Sequence, residues 1–70
     1  MTKVDARGLS CPEPVILTQN ALKSGEASYE VLVDAVAPRE NVTRCAMHNG
    51  YDVTCTEEDG VYTLTLTKKA

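Results

Sequence analysis

Two proline-led helical segments, each set between short β-branched runs, share a chain of only 70 residues. That alternation leaves few folds open. Residues 2–6 read as a strand and 7–10 as a loop. Pro12 begins a helix that runs to about residue 23 and stops at Ser24-Gly25, a Gly-containing helix end. Residues 29–33 form a β-branched strand and 34–37 a turn. Pro38 opens a second helix, which closes at Asn49-Gly50. Residues 51–57 alternate as a strand, Glu58-Asp59-Gly60 turns the chain, and 61–67 return as a strand. The order βαβαββ predicts a two-layer α/β sandwich, with a four-stranded mixed sheet and both helices on one face. The threonines of the last strand then line the open face, and Tyr62, Leu64 and Leu66 face the helices.

A chain of this length makes one domain, residues 1–70, and leaves little volume for an enclosed pocket. Any reactive group is therefore expected at the surface. With 7 basic against 10 acidic residues the net charge is -3, which argues against a general nucleic-acid binder. No apolar run is long enough for a membrane span, and the first residues lack the apolar core of a signal peptide. The three cysteines, Cys11, Cys45 and Cys55, are odd in number and widely spaced, a poor disulfide framework. These features predict a reduced, cytoplasmic monomer whose thiols serve packing or chemistry.

Cys11 is the thiol placed for chemistry. It stands at the start of the first helix, before Pro12-Glu13-Pro14. Two prolines in a first turn cost little, because the N–H groups they lack have no helical partner there. The remaining N–H groups and the positive end of the helix dipole favour a thiolate. Arg7 is expected to add positive charge, and Glu13 to oppose it. Cysteine is a poor helix cap compared with Ser, Thr, Asp or Asn, so capping alone does not account for it.

The stretch Asp5-Ala6-Arg7-Gly8-Leu9-Ser10-Cys11-Pro12-Glu13-Pro14 resembles the signature of the TusA family of small sulfur carriers, with its Cys-Pro-x-Pro motif at a helix start. The similarity spans essentially the whole chain. Residues 34–42, Asp34-Ala35-Val36-Ala37-Pro38-Arg39-Glu40-Asn41-Val42, are similar to the YedF-type branch, which is associated with selenium metabolism. The resemblance implies a sandwich like that of the C-terminal domain of translation initiation factor 3. It also implies that Cys11 accepts sulfur as a transient persulfide, with no resident cofactor. The donor would be a cysteine desulfurase or a rhodanese-like protein, and a second protein would accept the sulfur. Ser10 stands where some members carry Arg. YedF-type proteins often carry a further domain, so the chain is expected to act alone or as the N-terminal domain of a longer protein.

Asp5, Arg7 and Gly8, together with Pro12, Glu13 and Pro14, are expected to shape the cysteine loop. Gly8 would supply a backbone conformation that a side chain opposes. Ile16 lies opposite the buried arc formed by Pro14, Val15, Leu17, Thr18, Ala21 and Leu22, about one turn beyond Cys11. It is expected to touch a partner, as are Asp34 and Arg39 at the start of the second helix. Cys45 and Cys55 fit packing positions. Their spacing with His48 matches no paired zinc motif. Three functions stand open: a sulfur relay through Cys11, selenium binding at the same residue, and a redox-sensing interaction module without transferase activity.

Overall fold

The computed structural model describes residues 2–9 and 13–69. The elements run β1 (Thr2–Asp5), α1 (Glu13–Leu22), β2 (Ser28–Val33), α2 (Val36–His48), β3 (Tyr51–Glu58) and β4 (Val61–Lys68), the βαβαββ order that the sequence predicts. The four strands form one sheet in the order β1-β2-β4-β3. β1 and β2 are parallel, and β4 runs antiparallel to both β2 and β3, so the sheet is mixed and β1 and β3 are its edges.

Alternation decides which face of each strand is covered. Tyr29, Val31 and Val33 of β2 are buried, and they lie opposite Leu66, Leu64 and Tyr62 of β4. Val42 and Ala46 of α2 and Pro14 and Thr18 of α1 are buried against this face, and the two helices also pack on each other. Each large apolar side chain so covered contributes about 1.5–3 kcal/mol. Thr18 is the one buried polar side chain in the described core, and its hydroxyl donates to the Pro14 carbonyl at 2.9 Å. The other face is polar. It carries Thr63, Thr65 and Thr67, with Thr54 and Thr56 opposite them and a Lys3–Glu30 ion pair at 3.5 Å.

Several element ends shift by one residue from the sequence expectation, and two boundaries differ for a physical reason. The second helix starts at Val36, two residues before Pro38, which sits buried inside its first turn. A proline is tolerated there because the first N–H groups of a helix have no carbonyl to meet. The hairpin turn is Asp59-Gly60 alone, since Glu58 still pairs with Val61. Both turn residues have positive φ, 52° and 79°, the mirror-image turn that matches strand twist.

Two buried-residue assignments are corrected. Leu17, expected to face the sheet, is 37% exposed at the flank of α1. Cys55, expected to pack, is exposed. Its parity is right, because it lies opposite buried Leu64 on the helix-bearing face. It belongs to an edge strand, however, at a point where α2 leaves a groove rather than closing over it.

Candidate functional site

Ser10, Cys11 and Pro12 lie outside the described residues, so the site is built from what surrounds them in the chain. β1 and β2 point the same way, and their carboxyl ends meet at one end of the sheet. The Ala6 N–H donates to the Leu32 carbonyl at 2.8 Å, which extends the ladder one step past β1. There the chain leaves the sheet. Gly8 has φ +74°, in the left-handed region, where a side chain costs about 1–2 kcal/mol. A Cβ at Gly8 would meet nothing within 4 Å, so the requirement for glycine is conformational rather than steric.

Charged groups hold the loop. Arg7 makes a two-pronged contact with Asp5: Nε donates to Oδ1 at 2.9 Å and Nη2 to Oδ2 at 2.8 Å. The Arg7 backbone N–H also donates to Asp5 Oδ1, at 3.2 Å. The hydrogen bonds from the Arg7 side chain and backbone hold the Asp5 carboxyl down at about 2, and Asp5 in turn raises Arg7. This alters one expectation. Arg7 faces Asp5, so its positive charge is matched locally and is a weaker support for a thiolate than its sequence position implied. From the β2–α2 turn, the Asp34 carboxylate accepts the Gly8 N–H at 3.0 Å. Asp5, Arg7, Gly8, Leu9, Asp34 and Val61 line an open depression of about 590 Å³. Leu9 and Val61 are walls that sequence reasoning did not single out.

Glu13 is the first residue of α1 and is exposed, with its acidic side chain at the positive end of the helix. Pro14 behind it is buried and anchors that end against the sheet. Ile16 is 47% exposed, as expected for a residue opposite the buried arc. Arg39 lies at the same end of the sheet as Asp34. Its guanidinium sits 5.0 Å above the ring of Tyr62, the residue opposite Val33 at the end of β2. Alternation gives Tyr62 a packing position; its second role as a platform for Arg39 depends on a pairing that alternation does not reveal. The structure thus gathers Asp5, Arg7, Gly8 and Asp34 into one cluster. Arg39 stands beside a separate groove, with Glu40, Thr43, Arg44, Met47 and Cys55.

The other described thiol near a helix, Cys45, is half-buried between α1 and α2. Burial raises its pKa, partly opposed by hydrogen bonds from the Gln19 and Asn49 side chains. The Asn49 amide reaches Cys45 Sγ at 3.7 Å. Among the described residues, no cluster of His, Cys, Asp and Glu is arranged to hold a metal ion. None of the described helices is long and apolar enough to cross a membrane.

Comparison with known proteins gives this arrangement a context. A profile of the Sulfurtransferase TusA family matches residues 2–68. A candidate sulfur carrier protein of Methanocaldococcus jannaschii is 43% identical over 61 residues, covering 83% of this chain and 80% of that protein. The crystal structure of a SirA-like protein from Desulfitobacterium hafniense superposes with a TM-score of 0.88 at 38% identity, covering 100% of both chains.

Proposed function

The chain belongs to the TusA sulfurtransferase family, and from that premise we propose that it relays sulfur as a persulfide on Cys11. The observation that carries this reading is the family match over residues 2–68, which brackets a cysteine at the predicted mouth of α1. In the loading step the Cys11 thiolate attacks the terminal sulfur of a donor persulfide. The new bond joins Cys11 Sγ to that sulfur, the donor S–S bond breaks, and its electron pair returns to the donor thiolate. The acceptor takes the terminal sulfur in the same way and leaves Cys11 as thiolate.

Small size and an open depression beside the loop suit this work, since both partners must reach the sulfur. A helix N-terminus favours an anionic persulfide for the same reason that it favours phosphate. Asp5, Arg7, Gly8, Pro12, Glu13 and Pro14 shape the loop. On this reading Ile16, Asp34 and Arg39 would meet a donor such as a cysteine desulfurase or a rhodanese-like protein, in a reducing compartment such as the cytoplasm.

The test is an intact-mass measurement. Reduced protein is incubated with a cysteine desulfurase and cysteine. The expected result is a gain of one sulfur atom that a reductant removes and that Cys11→Ser abolishes. A gain that persists in Cys11→Ser would overturn the assignment. Parallel incubation with selenocysteine and its lyase reads out selenium as cargo. A peroxide-induced disulfide with no sulfur adduct from any donor would identify a redox sensor instead.

A further inference from the structure

We infer that Asp34 is a positioning residue for Cys11, acting through the Gly8 N–H that its carboxylate holds at 3.0 Å. The inference rests on the reading of Cys11 as the sulfur-bearing residue. Asp34 is not next to Cys11 in the chain. It follows the last residue of β2, and its contact with Gly8 spans 26 residues of sequence.

The helix that follows shows why this carboxylate is unusual. Asp is among the residues favoured at a helix N-cap, where it accepts a backbone N–H and adds about 1 kcal/mol. At the N-cap of α2, however, stands Ala35, with no side-chain cap hydrogen bond. The carboxylate sits one residue earlier and reaches the Cys11 loop instead. A sequence serving helix stability alone would place Asp at 35. The arrangement found here forgoes the cap and ties the loop to the β2–α2 turn.

What is tied matters as much as the tie. Gly8 is the residue with positive φ, where the chain changes direction after β1. Among the described residues, its neighbour Arg7 hydrogen-bonds to Asp5, two residues away, which shapes the loop locally, and Asp34 reaches Arg7 through charge alone. Asp34 supplies the hydrogen-bonded cross-link, from the β2–α2 turn. From Gly8 to Cys11 is three residues, at most about 10 Å of extended chain, and Pro12 fixes φ immediately beyond. A displacement at Gly8 therefore reaches Cys11 with little chain to absorb it. Displacements of about 1 Å are enough to change reaction rates strongly where groups must meet in a defined geometry.

Two neutral variants separate the hydrogen bond from the charge. Asp34→Asn keeps an acceptor oxygen for the Gly8 N–H, and Asp34→Ala removes it. Each is treated with iodoacetamide at pH 7, and alkylation is followed at each cysteine by peptide mass mapping. Cys45 and Cys55 serve as references within the same molecule. The expected result is a Cys11 rate that differs about threefold or more between Asp34→Ala and Asp34→Asn, with Asn near wild type. Cys45 and Cys55 should stay within about twofold in both. Sulfur loading should fall in Asp34→Ala and be retained in Asp34→Asn.

An unchanged Cys11 rate in Asp34→Ala would overturn the inference. So would an Asn variant as altered as the Ala variant, which would assign the effect to charge. A joint rise at all three cysteines would also overturn it, because it would mark general loosening of the fold. The alkylation readout needs no sulfur donor. A wild-type protein that never loads sulfur, yet keeps the Ala–Asn difference at Cys11, sinks the carrier reading and leaves the positioning role standing.

Discussion

The two ends of the sheet are held by different chemistry. At the amino ends of β2 and β3, two buried tyrosines meet edge to face, with ring centroids 5.7 Å apart. The Tyr29 hydroxyl accepts the Glu26 N–H at 2.8 Å and shares a hydrogen bond with Ser24 Oγ at 2.8 Å. The Tyr51 hydroxyl donates to the Glu26 carbonyl at 2.9 Å. The α1–β2 turn is thereby fastened to rings from two strands, and Thr2 also bonds the Glu26 carboxylate. At the carboxyl ends of β1 and β2 the contacts are Asp5–Arg7, Gly8–Asp34 and Arg39 over Tyr62. Most of these groups face water, where an ion pair contributes little to stability. One end is fixed by burial and satisfied hydroxyls, the other shaped by charges of small individual worth. If sulfur is relayed from this loop as proposed, the loop can be altered at little cost to the fold.

Breaking the aromatic end should have the largest effect. Tyr29→Ala removes a fully buried ring and should cost about 3–5 kcal/mol, much of what a domain of this size possesses. Thermal melting by circular dichroism checks it, and a loss below about 1 kcal/mol would erase the contrast between the ends.

The charged end should respond in function instead. Arg39→Glu is expected to slow sulfur loading by about tenfold through charge reversal at the partner edge. Its melting temperature should reflect the lost cation–π contact, about 0.5–1 kcal/mol, and the long surface pair with Glu40 at 3.9 Å. Loading kinetics with a desulfurase decide it. Loading at the wild-type rate, or a large drop in stability, would place Arg39 with the structural residues. Alkylation of Cys11 by iodoacetamide should be unchanged.

The smallest effect concerns Cys45, between the helices. Burial raises its pKa above the ordinary thiol value. The folded state therefore favours the protonated thiol. That contribution to stability is complete below the unfolded pKa and is lost as pH rises through the folded one. Near pH 9 Cys45 should alkylate more slowly than exposed Cys55. Equal rates would show that the groove between α1 and α2 gives the thiol no protection.

Much of this architecture was legible from residue patterns, because strand alternation and helix stops are local. Tyr29, Val31 and Val33 announce their shared face, and Asp59-Gly60 announces its turn. What was not legible depends on contacts between distant segments. Cys55 has core parity, but exposure depends on whether a helix reaches the edge strand, and α2 stops short of sealing it. The start of α2 at Val36 was hidden because a proline is accepted at several first-turn positions. At the candidate site, Gly8 could be assigned from its neighbours. The Asp34 link could not, since nothing in the sequence near 34 points to residue 8. The Arg7 charge was visible, but its pairing with Asp5 needed the loop geometry.

The exposed margin of β3 also bears on how copies of this chain meet at high concentration. Eight residues, Tyr51–Glu58, pair with β4 on one side, and among the described strands none pairs with the other. An open ladder of that length is a template for strand-to-strand aggregation. Antiparallel docking of two such margins centred on Cys55 would set Asp52 of each copy opposite Glu58 of the other. Like charges so placed repel. In that register the acidic residues of β3 oppose the pairing of two copies, with the Asp52 charge partly offset by Lys69 at 3.8 Å.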